Sequence, residues 1–325
     1  MWSVITKPIG RVVPLKILPR MKHLLDIETA DKDFLDRVLE SAEVFLKVLD
    51  QPSRKLPTLR GKTVLFMFME PSTRTQASFE MAAKRLSADT LNFSPAKSSM
   101  KKGETFLDTL YNLQAMEVDG IVIRHSAPGA AHFVARHTRA SVINAGDGSH
   151  EHPTQALLDA FTVKRRLGTL SGLKVLIVGD ILHSRVARSN LFLWRMYGSE
   201  VLFSGPPTLL PREFEELGAK VVELDDALPE ADVVMVLRLQ RERMEGSFVP
   251  SVREYRRFWG MTRERLKALR EDTLLMHPGP VNWGVEMDWE AQERPNTVIL
   301  EQVRNGVAVR MAVLYHLLAK AEDLG

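Results

Sequence analysis

The stretch Val64-Leu65-Phe66-Met67-Phe68-Met69-Glu70-Pro71-Ser72-Thr73-Arg74-Thr75-Gln76-Ala77-Ser78-Phe79-Glu80-Met81-Ala82-Ala83-Lys84-Arg85-Leu86 changes character twice. Six apolar residues of strand length open it and a helical pattern closes it. Between them lie Ser72, Thr73, Arg74 and Thr75, three hydroxyls and a guanidinium. A helix that starts there leaves backbone N–H groups without intrahelical partners, and its dipole favours an anion. Arginine adds a planar, always-charged fork that fits phosphate or carboxylate oxygens. An ordinary N-cap needs one hydroxyl; four consecutive polar residues predict an anion site where a strand becomes a helix.

The same alternation recurs along the chain. Strands are predicted at Thr63–Met69, Asp89–Phe93, Gly120–Arg124 and Ser141–Asn144, then at Lys174–Gly179, Glu200–Phe203, Lys220–Val222, Asp232–Val236 and Thr273–Met276. Helical patterns fall between them at Thr73–Leu86, Thr105–Met116, Gly129–His137, Pro153–Leu167, Arg185–Tyr197 and Thr262–Leu269. A last pattern, Leu300 to Ala321, is long enough to cross back to the first half. Strands alternating with helices predict an α/β protein of two doubly wound domains, each with a mainly parallel sheet. Ligands of such sheets bind beyond the C-terminal strand ends, so the polar clusters that follow the strands are expected to converge on a cleft between the domains.

Composition narrows the classes. The 325 residues suit two domains. The 44 basic and 41 acidic residues are interspersed and leave a net charge of +3. That balance argues against a nucleic-acid binder, which would concentrate Lys and Arg on one face. Absence of cysteine excludes disulfides, thiolate metal sites and cysteine nucleophiles. No apolar run reaches transmembrane length. Met1–Arg20 carries Lys7, Arg11, Lys16 and Arg20, and Pro8, Gly10 and Pro14 interrupt its apolar residues, which is not a signal-peptide pattern. It reads either as a flexible extension or as the product of a start placed upstream of Met21, with the helical pattern beginning near Met21–Leu25.

Further clusters each admit a plain reading. Ser98-Ser99-Met100-Lys101-Lys102-Gly103-Glu104-Thr105 is a basic loop before a helix, either solvated or presenting lysine to an anion. Arg124-His125 ends a buried strand, at the mouth where sites form. Asn144–Gln155 holds Gly146 and Gly148 for tight turns and Pro153 for a first helical position. His152 and Gln155 then flank the first helical turn, both able to donate to an oxygen. His150-Glu151-His152 is one trio without further ligands, so no metal is assigned to it. Val175–Asp180 enters a Rossmann-like turn that lacks the glycines of a dinucleotide fingerprint, which argues against NAD. Arg185 lands at a helix start. Alternation puts Arg238 and Gln240 on one side of an extended segment, and His277-Pro278-Gly279-Pro280 forms a rigid bend.

Together these segments closely resemble the transcarbamoylase family, and within it the branch whose acceptor is aspartate. The resemblance rests on Ser72–Thr75, Lys102–Thr105, Arg124-His125, His152–Gln155, Arg185, Arg238-x-Gln240 and His277–Pro280, in that order, and covers the chain from about Met21 onward. It implies transfer of a carbamoyl group from carbamoyl phosphate to the amine of L-aspartate, early in pyrimidine synthesis, in the cytoplasm and without metal or cofactor.

The resemblance also implies roles. Ser72, Thr73, Arg74 and Thr75 would cradle phosphate, and Arg124 would bridge phosphate and carbonyl oxygen. Thr75, Arg124 and His152 would polarise the carbonyl, which with Arg74 makes the catalytic set. Gln155 would hold the carbamoyl amine, and Gly279 and Pro280 would contact it through backbone. Arg185, Arg238 and Gln240 would bind aspartate, assisted by Lys102. Ser98 and Lys102 would come from the adjacent subunit, so a homotrimer with shared sites is expected, open to a regulatory or pathway-enzyme partner. Glu70 would bridge to Arg185 and Arg243 on closure. The implied division is residues 21–153 for carbamoyl phosphate, completed by a C-terminal helix from about 307 to 325, and 154–306 for aspartate. Two departures from the family pattern are Gly279, where some relatives have a bulkier apolar residue, and Trp283, where many have arginine. Ornithine transcarbamoylases carry a His-Cys-Leu-Pro segment in place of His277-Pro278-Gly279-Pro280. A non-catalytic anion-binding protein would need the cradle but not carbonyl donors such as His152.

Overall fold

The computed structural model describes residues 21–93, 103–239, 249 and 251–319. The expectations for Met1–Arg20, Ser98, Lys102, Gln240 and Arg243, and for residues 320–325, lie outside them. In chain order the first half holds α1 (Lys32–Val48), β1 (Thr63–Phe68), α2 (Thr73–Arg85), β2 (Asp89–Phe93), α3 (Phe106–Gln114), β3 (Gly120–His125), α4 (Ala130–Arg136) and β4 (Ser141–Asp147). Next come α5 (Pro153–Leu167), β5 (Lys174–Val178), α6 (Arg185–Met196), β6 (Glu200–Ser204), β7 (Lys220–Val221), α7 (Leu224–Ala227) and β8 (Val233–Val236). The chain ends with α8 (Val252–Trp259), α9 (Arg263–Ala268), β9 (Leu274–Met276) and α10 (Ile299–Leu318).

Both sheets are wholly parallel, with strand orders β2-β1-β3-β4 and β7-β6-β5-β8-β9. The apolar runs are continuous because both faces of each sheet are covered. Val64, Phe66 and Phe68 of β1 enter one apolar cluster, while Leu65 and Met67 point into another. In β5, Val175 and Ile177 join the first cluster and Leu176 and Val178 a third. That first cluster also takes in Leu24, Phe161 and Met311, so one core runs beneath both sheets. The helix α10 packs on α1, α2 and α5 and is the lengthwise spine of that core. Each fully buried Leu, Val or Phe stabilises the fold by about 1.5–3 kcal/mol relative to exposure.

The first helix is displaced from its expected start. Residues near Met21–Leu25 are extended, and Leu24 pairs with β4, donating its N–H to the Val142 carbonyl at 2.9 Å and accepting from Asn144 N–H at 2.9 Å. An available strand edge thus overrides a locally helical pattern. The helix instead begins at Lys32, where the Asp31 carboxylate accepts from the N–H groups of Asp33 and Phe34. Its buried face (Phe34, Leu35, Val38, Leu39, Ala42, Phe45) has the 3–4 spacing of an amphipathic helix.

One buried carboxylate ties the early chain to the middle. Glu151 accepts from the N–H groups of Ile27 (2.9 Å) and Glu28 (3.2 Å) and from Ser189 Oγ (2.7 Å). Ser189 Oγ in turn accepts from His152 N–H at 2.8 Å, which fixes the start of α5 against α6. Burial outweighs these donors and raises the Glu151 pKa from 4.5 to about 7. The folded state therefore holds this proton more tightly than the unfolded chain. Its contribution to stability is full below about pH 4.5 and is lost as pH rises through about 7. Urea unfolding measured across that window should show stability falling with pH, and Glu151→Gln should flatten that slope; an unchanged slope in the variant would contradict the assignment.

Candidate active site

Strand order places the site. In the first sheet the chain runs from β1 outward to β2 and then returns to β3 on the other side of β1. The second sheet does the same, from β5 outward through β6 to β7, then back to β8 beside β5. Each reversal opens a crevice at the C-terminal ends of the two strands that flank it. Glu70–Thr75 follows β1 and Arg124 lies at the C-terminal end of β3; Ser184-Arg185 follows β5 and Leu237-Arg238 follows β8. All of them line one cavity of about 1060 Å³, joined by His152 and Gln155 at the start of α5 and by His277–Pro280 after β9.

Ser72 occupies the N-cap position of α2, yet its hydroxyl makes no capping bond. That removes the plain reading of the Ser72–Thr75 motif: the hydroxyl is not spent on the helix. Arg74 reaches across toward the second sheet. Gly279 has φ +69°, and a Cβ there would overlap the Arg74 guanidinium. The glycine thus serves two demands, a left-handed turn and close approach by a cation. Desolvation, and secondarily the charge of Arg238, lowers the Arg74 pKa, which places the two guanidinium groups in each other's field.

Glu70 joins the two halves of the site. Its Oε1 accepts from Arg124 Nε at 2.9 Å and from Arg185 Nη2 at 2.6 Å. The bridge to Arg185 matches expectation; the shared bond to Arg124 is an addition. Arg124 Nη1 also donates to the Ala145 carbonyl at 3.3 Å. Arg185 is 3% exposed and lies against Gly146, where a Cβ would sit 2.5 Å from its Nη1. Holding both guanidinium planes by one carboxylate fixes their direction without neutralising both charges.

His152 is 3% exposed, and neither ring nitrogen has a hydrogen-bond partner among the described residues. A solvent-exposed histidine of ordinary pKa is therefore excluded. Burial, then the charges of Arg124 and Arg310, holds its pKa well below the usual value. At neutral pH the ring is uncharged, with one N–H to donate and one lone pair. Gln155 has its amino edge engaged, so it does not donate to a substrate oxygen. Its Nε2 donates to Asp159 Oδ1 at 3.0 Å, which leaves the carbonyl oxygen as the edge available to the cavity that Gln155 lines. His277 is buried, accepts from Gly279 N–H at 2.7 Å and lies 3.4 Å from Glu286, which stiffens the bend.

The sequence patterns do not single out Gln302 and Arg310, both of which line the cavity from α10. Arg310 was detectable as a charge inside the apolar run Val307–Val313. His150-Glu151-His152 does not act as a unit. Glu151 and His152 are engaged as described, and the cluster that forms instead is His132, Asp147 and His150, with ligand-type atoms within 4.8 Å of one another. Asp147 there already accepts from Gly129 N–H (2.7 Å), Asn144 Nδ2 (2.8 Å) and Glu151 N–H (3.1 Å).

Comparison with known proteins identifies the family. The carbamoyl-P binding domain of the aspartate/ornithine carbamoyltransferases matches residues 22–165, and their Asp/Orn binding domain matches 171–317. The aspartate carbamoyltransferase catalytic subunit of Sorangium cellulosum is 56% identical over 303 residues, 93% of this chain and 94% of that one. Aspartate transcarbamoylase of Trypanosoma cruzi in complex with carbamoyl phosphate and aspartate superposes with a TM-score of 0.84 at 28% identity, covering 92% of this chain and 97% of that one. The catalytic subunit of M. jannaschii aspartate transcarbamoylase gives a TM-score of 0.80 at 34% identity, covering 91% of this chain and 98% of that one. The chain belongs to the aspartate/ornithine carbamoyltransferase family.

Proposed function

We propose that this protein is the catalytic chain of an aspartate carbamoyltransferase, converting carbamoyl phosphate and L-aspartate into N-carbamoyl-L-aspartate and phosphate for pyrimidine synthesis. The observation that carries this reading is the single cavity that has the Ser72–Thr75 helix start on one side and Arg185 and Arg238 on the other. An anion held at a helix N-terminus faces cations suited to a dicarboxylate, and an uncharged donor, His152, lies between them.

The chemistry follows from that arrangement. Ser72, Thr73, Arg74 and Thr75 receive the phosphate, aided by Ser98 and Lys102 of a neighbouring subunit in a homotrimer. Arg185, Arg238, Gln240 and Lys102 receive the two carboxylates of aspartate. The aspartate amine attacks the carbonyl carbon, negative charge grows on its oxygen, and Thr75, Arg124 and His152 stabilise that charge. Fixed donors of this kind are worth about 10²–10³ in rate each. The C–O bond to phosphate then breaks, and a phosphate oxygen takes the proton of the amine. Gln155, with the backbone of Gly279 and Pro280, holds the carbamoyl nitrogen. Carbamoyl phosphate is an activated mixed anhydride, so its own leaving group supplies the driving force.

We divide the labour at residues 153/154: residues 21–153, with the C-terminal helix from about 307, take carbamoyl phosphate, and 154–306 take aspartate. The domain names that match 22–165 and 171–317 support a carbamoyl-phosphate half followed by an aspartate half, though the first match runs on through residue 165 and the second takes in residues 307–317. We place the reaction in the cytoplasm.

Arg74→Ala should lower turnover at saturating substrates by at least about 10²-fold, read by product formation. Near-normal carbamoylation would show that the cradle is misassigned. Arg238→Ala should act mainly on aspartate, raising its KM at least about tenfold, the weight of one charge-assisted hydrogen bond, with a smaller change in kcat. With aspartate and ornithine offered side by side, carbamoyl aspartate should be the product. Turnover of ornithine alone would overturn the proposal.

A further inference from the structure

A fully buried carboxylate one turn beyond Gln155 has no part in the chemistry above. Asp159, on α5, is 0% exposed and accepts from three primary amides. Gln155 Nε2 (3.0 Å) and Gln302 Nε2 (2.8 Å) meet its Oδ1, and Asn190 Nδ2 (3.0 Å) meets its Oδ2. The amides come from α5, α10 and α6, so the acid is the point where three helices meet. An ionised carboxylate is acceptor-only and therefore decides which edge each amide turns toward it. The opposite edges are used consistently. Gln302 Oε1 accepts from His277 N–H at 3.1 Å, and Asn190 Oδ1 accepts from Trp194 Nε1 at 2.9 Å. Gln155 itself lines the cavity, and its opposite edge is the one not bonded to Asp159. Arg310, buried on α10, supplies the compensating charge and is itself anchored on Ser78 Oγ at 2.7 Å.

We propose that Asp159 is a specificity-determining positioning residue: it locks the Gln155 amide with its oxygen toward the cavity, so that the site selects a donor whose transferred group carries N–H. Carbamoyl and acetyl groups differ by an amino group against a methyl of nearly the same size. Shape alone discriminates poorly between such isosteres, whereas an acceptor that must be satisfied discriminates strongly. Glutamine left to itself presents either edge to a ligand; bonded to Asp159 it presents one. The inference rests on the proposed carbamoyl transfer and extends it to donor choice.

The test uses the full-length protein with Asp159→Asn and Gln155→Leu, singly and together. Each is assayed with carbamoyl phosphate and with acetyl phosphate as donor to aspartate, and inhibition by inorganic phosphate is measured in parallel. Asp159→Asn should lower the preference for the carbamoyl donor by roughly tenfold to hundredfold and leave phosphate inhibition unchanged. In the Gln155→Leu background the same substitution should change the preference by less than about twofold, because Asp159 acts through Gln155. An unchanged preference in Asp159→Asn, or an equal loss in both backgrounds, overturns the inference. Failure of the unaltered enzyme to carbamoylate aspartate overturns instead the functional reading beneath it. Should Asp159→Asn be recovered only unfolded, exchange of the Gln155 side-chain amide protons in the unaltered enzyme decides: slow exchange supports the bond to Asp159, and solvent-like exchange overturns it.

Discussion

A parallel strand covered on both faces has only its ends left for polar chemistry. In this molecule β1, β3, β5 and β8 are all of that kind, and their side chains divide between apolar clusters above and below each sheet. Apart from Arg310 of α10, the charged groups of the site are therefore pushed to a C-terminal strand end or to the helix start that follows it. Because both sheets reverse strand order, two crevices result, and the shared core under α10 holds them facing one cavity. Burying apolar surface is what determines where the cations stand.

Bringing so many cations together carries an electrostatic cost, and the structure meets it with a few well-placed acids. Glu70 takes one bond from each half of the site, through Arg124 and Arg185. Asp159 faces Arg310 from behind, and burial of that arginine lowers its pKa to about 10. The same positive field, together with burial, keeps His152 uncharged. These acids orient donors while leaving net positive charge in the cavity, which is the balance an anionic pair of substrates requires.

Much of this was legible in the chain. The strand-to-helix turn at Ser72–Thr75 stands out because its pattern is local: an apolar run, a cluster of hydroxyls, then a 3–4 period. Pro153 at the first position of α5 is legible for the same reason. The start of α1 was not, because Leu24 answers to β4, more than a hundred residues away. Gln155 was legible by itself as a polar residue at a helix start able to donate, and only the family resemblance cast it as the partner of an amine. Which edge of an amide faces a ligand is set by the partner of the other edge, and that partner, Asp159, reads in sequence only as one acid on a helix.

By itself the sequence determined the α/β alternation, the places where polar clusters follow strands and the chemical class of each cluster, since these depend on neighbours within a few residues. Tertiary structure decided the rest: that Glu70 joins Arg124 to Arg185, that Gly279 makes room for Arg74, that Gln302 and Arg310 enter the cavity, and that Asp159 turns Gln155. The first three depend on contacts between distant segments, and only the packing of two sheets about one core sets their distances; the fourth is a bond within α5, but Asp159 is held in place for it by Asn190 and Gln302 from other helices.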